Sequence, residues 1–305
     1  MRVVFAGTPE PAVPTLDALA RSRHELVGVI TRPDAPGGRG LHLQPSPVAE
    51  RAVELGVRVV KPRSAREPQL ATWLAERDPD IVVVVAYGAL LPDELLAIPV
   101  HGFVNVHFSV LPARRGAAPV QRALMEGDSS TGVTIFQIVS ELDAGPVYQS
   151  VESEIGADET AGHLLERLSS LGAHELIDTL DAIDAGQQPV AQPTEGVTFA
   201  PKVRVDDARI QWHLPAQRIG GLVRGTNPAP GAWTTLHGER FKVLRATPVV
   251  ADGLEPGELR ASKRDVLVGT GEGGLRLDEV QAFGRKPMPG ADWDRGVQPT
   301  GARFE

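Results

Sequence analysis

The sequence contains no cysteine, and methionine and tyrosine are scarce. Its 305 residues include 3 Met, 2 Tyr and no Cys. Without thiols the chain forms neither a disulfide nor a thiolate metal site, so any metal ion would need histidine and carboxylate ligands. The absence of cysteine is typical of proteins from a reducing compartment. Because thiolate ligands are absent, we expect no bound metal ion in this protein.

Long hydrophobic runs are also missing. The apolar stretch within residues 1–9 is too short for the core of a signal peptide. The longest apolar stretch, residues 81–91, is too short to cross a bilayer. We expect a soluble, cytoplasmic protein without membrane contact.

Negative charge dominates only the first part of the chain. The net charge is -8, but from position 207 onward 14 basic and 12 acidic residues give +2, so the preceding part carries -10. This balance argues against indiscriminate nucleic-acid binding. It permits local contact between the C-terminal part and RNA.

Apolar runs bounded by Gly and Pro alternate with helical segments in the first half. The runs are residues 2–6, 26–30, 57–60, 81–85 and 103–106. Continuous Val and Ile, as in 81–85, are typical of strands buried on both faces. The pattern predicts an α/β fold, a Rossmann-like and mostly parallel sheet with helices on both faces. Ligands of such sheets bind beyond the C-terminal ends of the strands.

Two more strands and a long helix complete the predicted first domain. The strands cover 131–137 and 147–154, with a turn at 142–146 between them. An amphipathic helix follows, capped by Thr160 and ended by Gly186. Its predicted buried stripe is Leu164, Leu165, Leu168, Leu171, Leu176, Ile177 and Leu180.

A proline-rich stretch without periodicity separates two predicted domains. We predict a first domain at 1–188, an extended linker at 189–207 and a second domain at 208–305. The second domain has five short β-like runs and one helix, which predicts a small OB-like β-barrel. The runs are 209–212, 232–236, 241–244, 265–268 and 274–280, and the helix is 216–224.

Three polar residues stand where one site could use them together. On a strand covering 103–107, Asn105 and His107 share a face because side chains alternate with a period of two. Asp143 lies in the predicted turn. An amide donor and a charged imidazole stabilise an oxyanion, and a carboxylate holds the imidazole. Taken singly, the Asn and His also fit polar residues satisfied by nearby backbone, and the Asp fits an ordinary Asx turn.

The residues that follow decide between these interpretations. Ser109-Val110-Leu111-Pro112 precedes an Arg-Gly-Ala-Ala-Pro run at 115–119, and further matching segments occur at 208–210, 226–228 and 280–286. Over nearly the whole chain the sequence resembles the folate-dependent formyltransferases, most closely those acting on methionyl-tRNA. The resemblance implies that a formyl group passes from 10-formyltetrahydrofolate to the amino group of methionine on initiator tRNA, with no obligate protein partner.

The same resemblance implies roles for single residues. Asn105, His107 and Asp143 match the catalytic residues of the family. The segment in contact with the folate is matched by Ser109, Val110, Leu111 and Pro112. Two departures are visible: Val110 replaces the usual Leu, a nearly volume-conserving change, and Arg114 stands where an aromatic residue is common.

Two basic segments are candidate tRNA contacts, and the first of them matches a tRNA contact of the family. A Gly- and Pro-rich loop at 31–43 carries Arg32, Arg39 and His42, of which Arg39 matches a family arginine. Many members have lysines where this chain has Leu41 and His42. In the second domain the candidates are Arg285 and Lys286, which we predict to form a phosphate-binding stripe with Arg209, Lys242 and Arg245 on strand edges. Considered without the resemblance, these cations fit a solvated surface equally well.

Other functions are open at this point. A formyltransferase acting on a small amine, such as glycinamide ribonucleotide or an amino-sugar nucleotide, would use the same three polar residues. A non-catalytic RNA-binding protein is a second alternative. The turn at Gly7-Thr8-Pro9 has neither G-x-G-x-x-G spacing nor a P-loop lysine, which argues against a dinucleotide or nucleoside-triphosphate site.

Overall fold

The computed structural model of the protein describes residues 1–37, 42–262, 265–297 and 301–305. By their internal contacts these residues form two compact units. The first unit consists of Met1–Gly116, Thr131–Ser153 and Leu165–Phe199, and the second of Ala117–Ser130, Glu154–Leu164 and Ala200–Glu305. Two segments that precede residue 200 thus belong to the second unit. The limits 1–188, 189–207 and 208–305 stay a prediction.

Strands and helices alternate through the first 184 residues. In chain order they are β1 Arg2–Gly7, α1 Val13–Arg21, β2 Glu25–Ile30, β3 Ala35–Gly37, β4 His42–Gln44, α2 Pro47–Glu54, β5 Val59–Val60, α3 Pro68–Arg77, β6 Ile81–Val85, α4 Asp93–Leu96, β7 Phe103–His107, α5 Pro119–Glu126, β8 Ser130–Gln137, β9 Val147–Glu154 and α6 Ala161–Asp184.

Seven of these strands form one sheet in the order β5-β2-β1-β6-β7-β8-β9. The pairs from β5 to β7 are parallel, and β8 pairs with β7 antiparallel. The central strand β6 is buried along its whole length, as its Val and Ile run predicts. The predicted mostly parallel α/β sheet is confirmed, and β7 lies inside it with its carboxyl end at the edge where such sheets bind ligands.

Helix α6 packs closely on the strand that carries the candidate site. A Cβ at Gly172 would lie 2.7 Å from Cγ1 of Val106 on β7, so only glycine permits this approach. The N-terminal cap is confirmed, since His163 N donates to Thr160 Oγ1 (3.4 Å), and Gly186 ends the helix with φ 97°. The predicted stripe is fully buried at Leu164, Leu168, Leu176 and Leu180, and half-buried at Leu165, Leu171 and Ile177.

The second unit contains an antiparallel sheet. Its C-terminal elements are α7 Ala216–Gly225, β10 Ala232–Leu236, β11 Glu239–Val249, β12 Leu259–Ala261, β13 Val266–Gly269, β14 Gly274–Gln281, β15 Met288–Pro289 and α8 Gly290–Val297. The sheet order is β10-β11-β14-β13-β12, and β15 pairs with β14. The C-terminal residues join the two outer strands, because Glu305 N donates to Thr235 O and Leu259 N donates to Ala302 O, both at 3.0 Å. This confirms a separate β domain.

One predicted strand of this unit is wrong. Arg209 forms only an isolated bridge to Trp233, after a short 3-10 helix at Asp206–Ala208, and 210–212 form no strand. The apolar residues of that run serve the core of the unit. Trp212 stacks on Phe304 with ring centroids 5.2 Å apart and donates its indole N–H to Thr234 Oγ1 (3.0 Å).

Among the residues for which coordinates are described, no helix is both long and apolar enough to cross a membrane. Within the same residues, no group of three or more histidine and carboxylate side chains could hold a metal ion.

Candidate active site

Strand β7 presents Asn105 and His107 on the same face of the sheet. Its parallel pairing with β6 sets Asn105 opposite Val84, and its antiparallel pairing with β8 sets His107 opposite Thr134. The Asn105 side chain is half-buried, and its amide has no hydrogen-bond partner within the described part of the chain. Its N–H groups are therefore able to donate to a ligand.

Hydrogen bonding fixes the tautomer of His107. The ring is only 5% exposed, and Nε2 lies 3.0 Å from the carbonyl oxygen of Arg114. Because a carbonyl oxygen only accepts, Nε2 carries a hydrogen. Nδ1 lies 3.8 Å from Asp143 Oδ2, so in the neutral ring the basic nitrogen faces the carboxylate.

The environment of His107 determines its charge. Burial lowers the pKa of His107 below its usual value of 6.5, and the Asp143 carboxylate and the Arg114 carbonyl oppose this effect. The imidazole of the free protein is therefore neutral at neutral pH. The expectation of a charged His107 does not hold for this state, because the sequence does not show how deeply the ring is buried.

Asp143 lies on a turn, as predicted, and backbone contacts hold it. Its φ of 49° is in the left-handed region, which costs energy for a residue other than glycine. The N–H of Gly116 donates to Asp143 Oδ2 (2.7 Å). At Gly145 an added Cβ would lie 1.7 Å from Gln137 O, so this turn requires glycine two residues after the aspartate.

The segment Ser109 to Pro112 is shaped by two hydroxyl groups. Ser109 Oγ donates to Ala113 O (2.7 Å). Thr134 Oγ1 accepts from Leu111 N (3.1 Å) and donates to Ser109 O (2.7 Å), and the Leu111–Pro112 peptide is cis. Ser109 is 1% exposed, so its hydroxyl organises the turn. Val110 and Pro112 are half-buried and retain exposed surface. The role of all four residues in folate binding stays a prediction.

Sequence reasoning missed the residues of the linker that hold the site. Gln192 Nε2 donates to the carbonyl oxygens of Asp143 and Gly145, both at 2.8 Å. Thr198 Oγ1 accepts from Arg114 N (2.8 Å). The only sequence signal was a glutamine beside Pro193 in an otherwise featureless stretch, which does not identify a partner.

The predicted tRNA-binding residues occupy several places. Arg32 Nη1 donates to Arg63 O (3.2 Å), and His42 is exposed on β4. Within this segment, predicted as a loop, residues 35–37 form β3 and pair antiparallel with β4 at 42–44. Arg39 and the departure at Leu41 lie outside the described residues. Arg285 and Lys286 are exposed between β14 and β15 of the second unit. All five roles stay predictions.

Family models match both parts of the chain. A model described as formyl transferase matches residues 1–180, and one described as formyl transferase, C-terminal domain, matches residues 202–298. The chain belongs to the formyl transferase family. This agrees with the resemblance seen at 105–119, and it makes the chain an enzyme of formyl-group transfer.

Full-length relatives in this family are more than half identical to the chain. It is 56% identical to methionyl-tRNA formyltransferase from a Nocardioides species over 309 aligned positions, which cover 100% of the chain and 98% of the relative. It is 54% identical to methionyl-tRNA formyltransferase from Streptomyces griseus, covering 98% of the chain and 97% of the relative.

Two solved structures share the fold of this chain. An N-formyltransferase from Helicobacter canadensis, in complex with folinic acid and dTDP-3-aminofucose, matches with a TM-score of 0.69 at 15% identity, over 93% of this chain and 100% of that chain. HypX from Aquifex aeolicus, in complex with tetrahydrofolic acid, matches with a TM-score of 0.67 at 18% identity; the match covers 96% of this chain and 47% of HypX.

Proposed function

We propose that this protein transfers the formyl group of 10-formyltetrahydrofolate to the amino group of methionine carried by initiator tRNA. The observation that carries the proposal is the 56% identity with a methionyl-tRNA formyltransferase over the full length of both chains. A fold match alone would leave the acceptor open, because one fold hosts several acceptors.

The candidate site supports a direct transfer. The free amine of the methionyl group attacks the formyl carbon, the carbonyl oxygen becomes an oxyanion, and the bond from carbon to N10 of the folate then breaks. Asn105 donates to the oxyanion. His107, neutral beforehand, takes the proton from the amine at Nδ1, and Asp143 stabilises the resulting imidazolium across 3.8 Å. The imidazolium returns this proton to N10 as the carbon–N10 bond breaks, so the proton lost by the amine ends on tetrahydrofolate and His107 is neutral again.

A covalent enzyme intermediate is not part of this mechanism. The chain has no cysteine, and the Ser109 hydroxyl donates to the Ala113 carbonyl instead of a base. The folate is a cosubstrate, for which we propose Ser109, Val110, Leu111 and Pro112 as the contact segment. No step requires a metal ion.

The tRNA is the larger partner in the proposal. We assign contacts with it to Arg39, Arg32, His42, Arg285 and Lys286. Because initiator tRNA is used in translation, the proposed place of action is the cytoplasm. Transfer to a small amine is less well supported, since the amino-sugar enzyme from Helicobacter canadensis is only 15% identical.

The proposal is tested by the choice of acceptor. Purified protein is incubated with 10-formyltetrahydrofolate and either initiator tRNA charged with methionine, free methionine, or an amino-sugar nucleotide, and N-formylated product is measured by mass spectrometry after deacylation. We expect product from the charged tRNA only. Formylated small amine without formylmethionine from tRNA would overturn the proposal.

A further inference from the structure

We propose that Gln192, in the stretch predicted as a linker, is a positioning residue that sets the Asp143 carboxylate against His107. This inference rests on the proposed function for its kinetic test. It adds to the reaction a residue that touches neither substrate nor any reacting atom. Gln192 and Asp143 are 49 positions apart in the sequence.

The first observation is that the Gln192 amide clamps the turn on both sides of Ala144. Nε2 donates to Asp143 O and to Gly145 O, each at 2.8 Å. These two bonds use both hydrogens of the amide nitrogen. They fix the backbone at the residue whose φ of 49° is unfavourable, so Gln192 helps to hold a conformation that the sequence alone disfavours.

The second observation fixes which end of the amide faces the turn. Arg115 Nη2 donates to Gln192 Oε1 (2.8 Å), and a guanidinium has only donors. The oxygen must therefore face Arg115 and the nitrogen must face the two carbonyls, so the amide has one satisfactory orientation. The Arg115 side chain is only 8% exposed, which makes it a fixed support.

Arg115 is itself held by its surroundings. Its Nη1 donates to Glu141 (3.2 Å), and its backbone N–H donates to Thr198 O (2.9 Å). The neighbouring Gly116 N–H donates to the Asp143 carboxylate (2.7 Å). Residues 115 and 116 thus hold Asp143 in two ways. Gly116 contacts the carboxylate directly, and Arg115 supports Gln192, which contacts the backbone.

The test variant is Gln192→Glu. It keeps the shape and the oxygen that faces Arg115, but it replaces the donor nitrogen by an oxygen that repels the Asp143 and Gly145 carbonyls. Gln192→Met, uncharged and of similar length, is the second variant in case the carboxylate prevents folding. The matched control is Gln187→Glu, since Gln187 also donates through Nε2 to a backbone carbonyl, that of Tyr148 (3.0 Å), away from Asp143.

The measurements are kcat, the KM for each substrate, the pH profile of kcat, and the melting temperature. We expect kcat of Gln192→Glu and Gln192→Met to fall about 10- to 100-fold, because a misplaced catalytic group costs this much, with each KM within about threefold. Asp143 raises the pKa of His107, so its displacement should move the His107 limb of the pH profile to lower pH. Gln187→Glu should match the wild type.

Two results would overturn the inference. One is a kcat equal to that of the wild type in both Gln192 variants. The other is a parallel loss of kcat, both KM values and melting temperature with an unmoved pH limb, which indicates a structural role only. A wild-type protein that does not formylate charged tRNA would instead contradict the proposed function. The Gln192 variants would then be compared on whichever amine the wild type formylates.

Discussion

At the scale of single residues, the site combines a free donor with a buried neutral base. Asn105 has no hydrogen-bond partner among the residues with described coordinates, whereas both ring nitrogens of His107 have polar neighbours. The burial that keeps His107 neutral also strengthens its attraction to Asp143 once the ring is protonated, because the local dielectric is low. The site is therefore suited to take a proton during the reaction.

Replacing Asn105 by alanine should affect the chemical step. Loss of one oxyanion donor lowers kcat by about 10² to 10³ and leaves ground-state binding mostly intact. We expect Asn105→Ala to show this loss in single-turnover formylation, with an unchanged dissociation constant for the folate. Near-normal turnover would remove Asn105 from the catalytic assignment.

Replacing His107 by glutamine should change how stability depends on pH. The pKa of His107 is lowered by folding, so below about pH 6.5 the unfolded chain binds a proton that the folded protein does not. The contribution of neutral His107 to the free energy of unfolding is fully present above about pH 6.5. It is lost as the pH falls from there toward the pKa that His107 has in the folded protein. The slope from one group is at most about 1.4 kcal/mol per pH unit.

Urea unfolding of both proteins between pH 5 and 8 measures this term. We expect the wild type to lose more unfolding free energy than His107→Gln as the pH falls below about 6.5. The pKa of His24 is also lowered by burial, but His24 is present in both proteins and cancels. Parallel curves for the two proteins would contradict a buried, neutral His107.

At the scale of elements, β8 supports the turn at 109–112 through one hydroxyl group. Thr134 is fully buried, and it bridges Leu111 N and Ser109 O. Thr134→Val keeps the shape of the side chain but leaves two buried backbone groups unsatisfied, which costs about 1 to 3 kcal/mol each. We expect lower stability and a raised KM for the folate.

The control for this change is Thr131→Val on the same strand. Thr131 is buried, and its hydroxyl makes no hydrogen bond within the residues that the structure covers. Denaturant unfolding of both variants measures the loss of stability, and folate titration measures the change in folate binding. If Thr131→Val raises the KM as much as Thr134→Val does, the bridge is not what shapes the folate segment.

How far the sequence predicts these elements follows from the range of their interactions. The apolar runs of β1, β6 and β7 predict their own strands, and Gly145, two residues after Asp143, predicts the turn, because these signals are local. The pairing of β3 with β4 was missed because Pro and Gly are rare in strands. The link between Gln192 and Asp143 has no periodic signal, and burial of His107 depends on packing from distant segments. Neither the Gln192–Asp143 contact nor the burial of His107 could therefore be predicted without the three-dimensional structure.

At the scale of the whole molecule, the second unit is built from three parts of the chain. Its helix α5 packs against α7: a Cβ at Gly221 would lie 2.6 Å from Leu124 O, and one at Gly225 would lie 2.7 Å from Gln121 O. Removing 208–305 would therefore expose the buried side of α5, including Val120. A truncation would mix a folding defect with any loss of tRNA binding, so changes of surface charge are the better test.

Neutralising Arg285 and Lys286 together tests whether the turn between β14 and β15 meets tRNA. Each lost phosphate contact reduces the salt dependence of binding by roughly one unit in the log-log slope. We expect Arg285→Gln with Lys286→Gln to raise the KM for charged tRNA, with a shallower salt slope and unchanged KM for the folate. The same charge is removed from this unit by Arg260→Gln with Arg295→Gln, which should have a smaller effect. Equal effects of the two pairs would mean that net charge, and not a contact at this turn, accounts for the change.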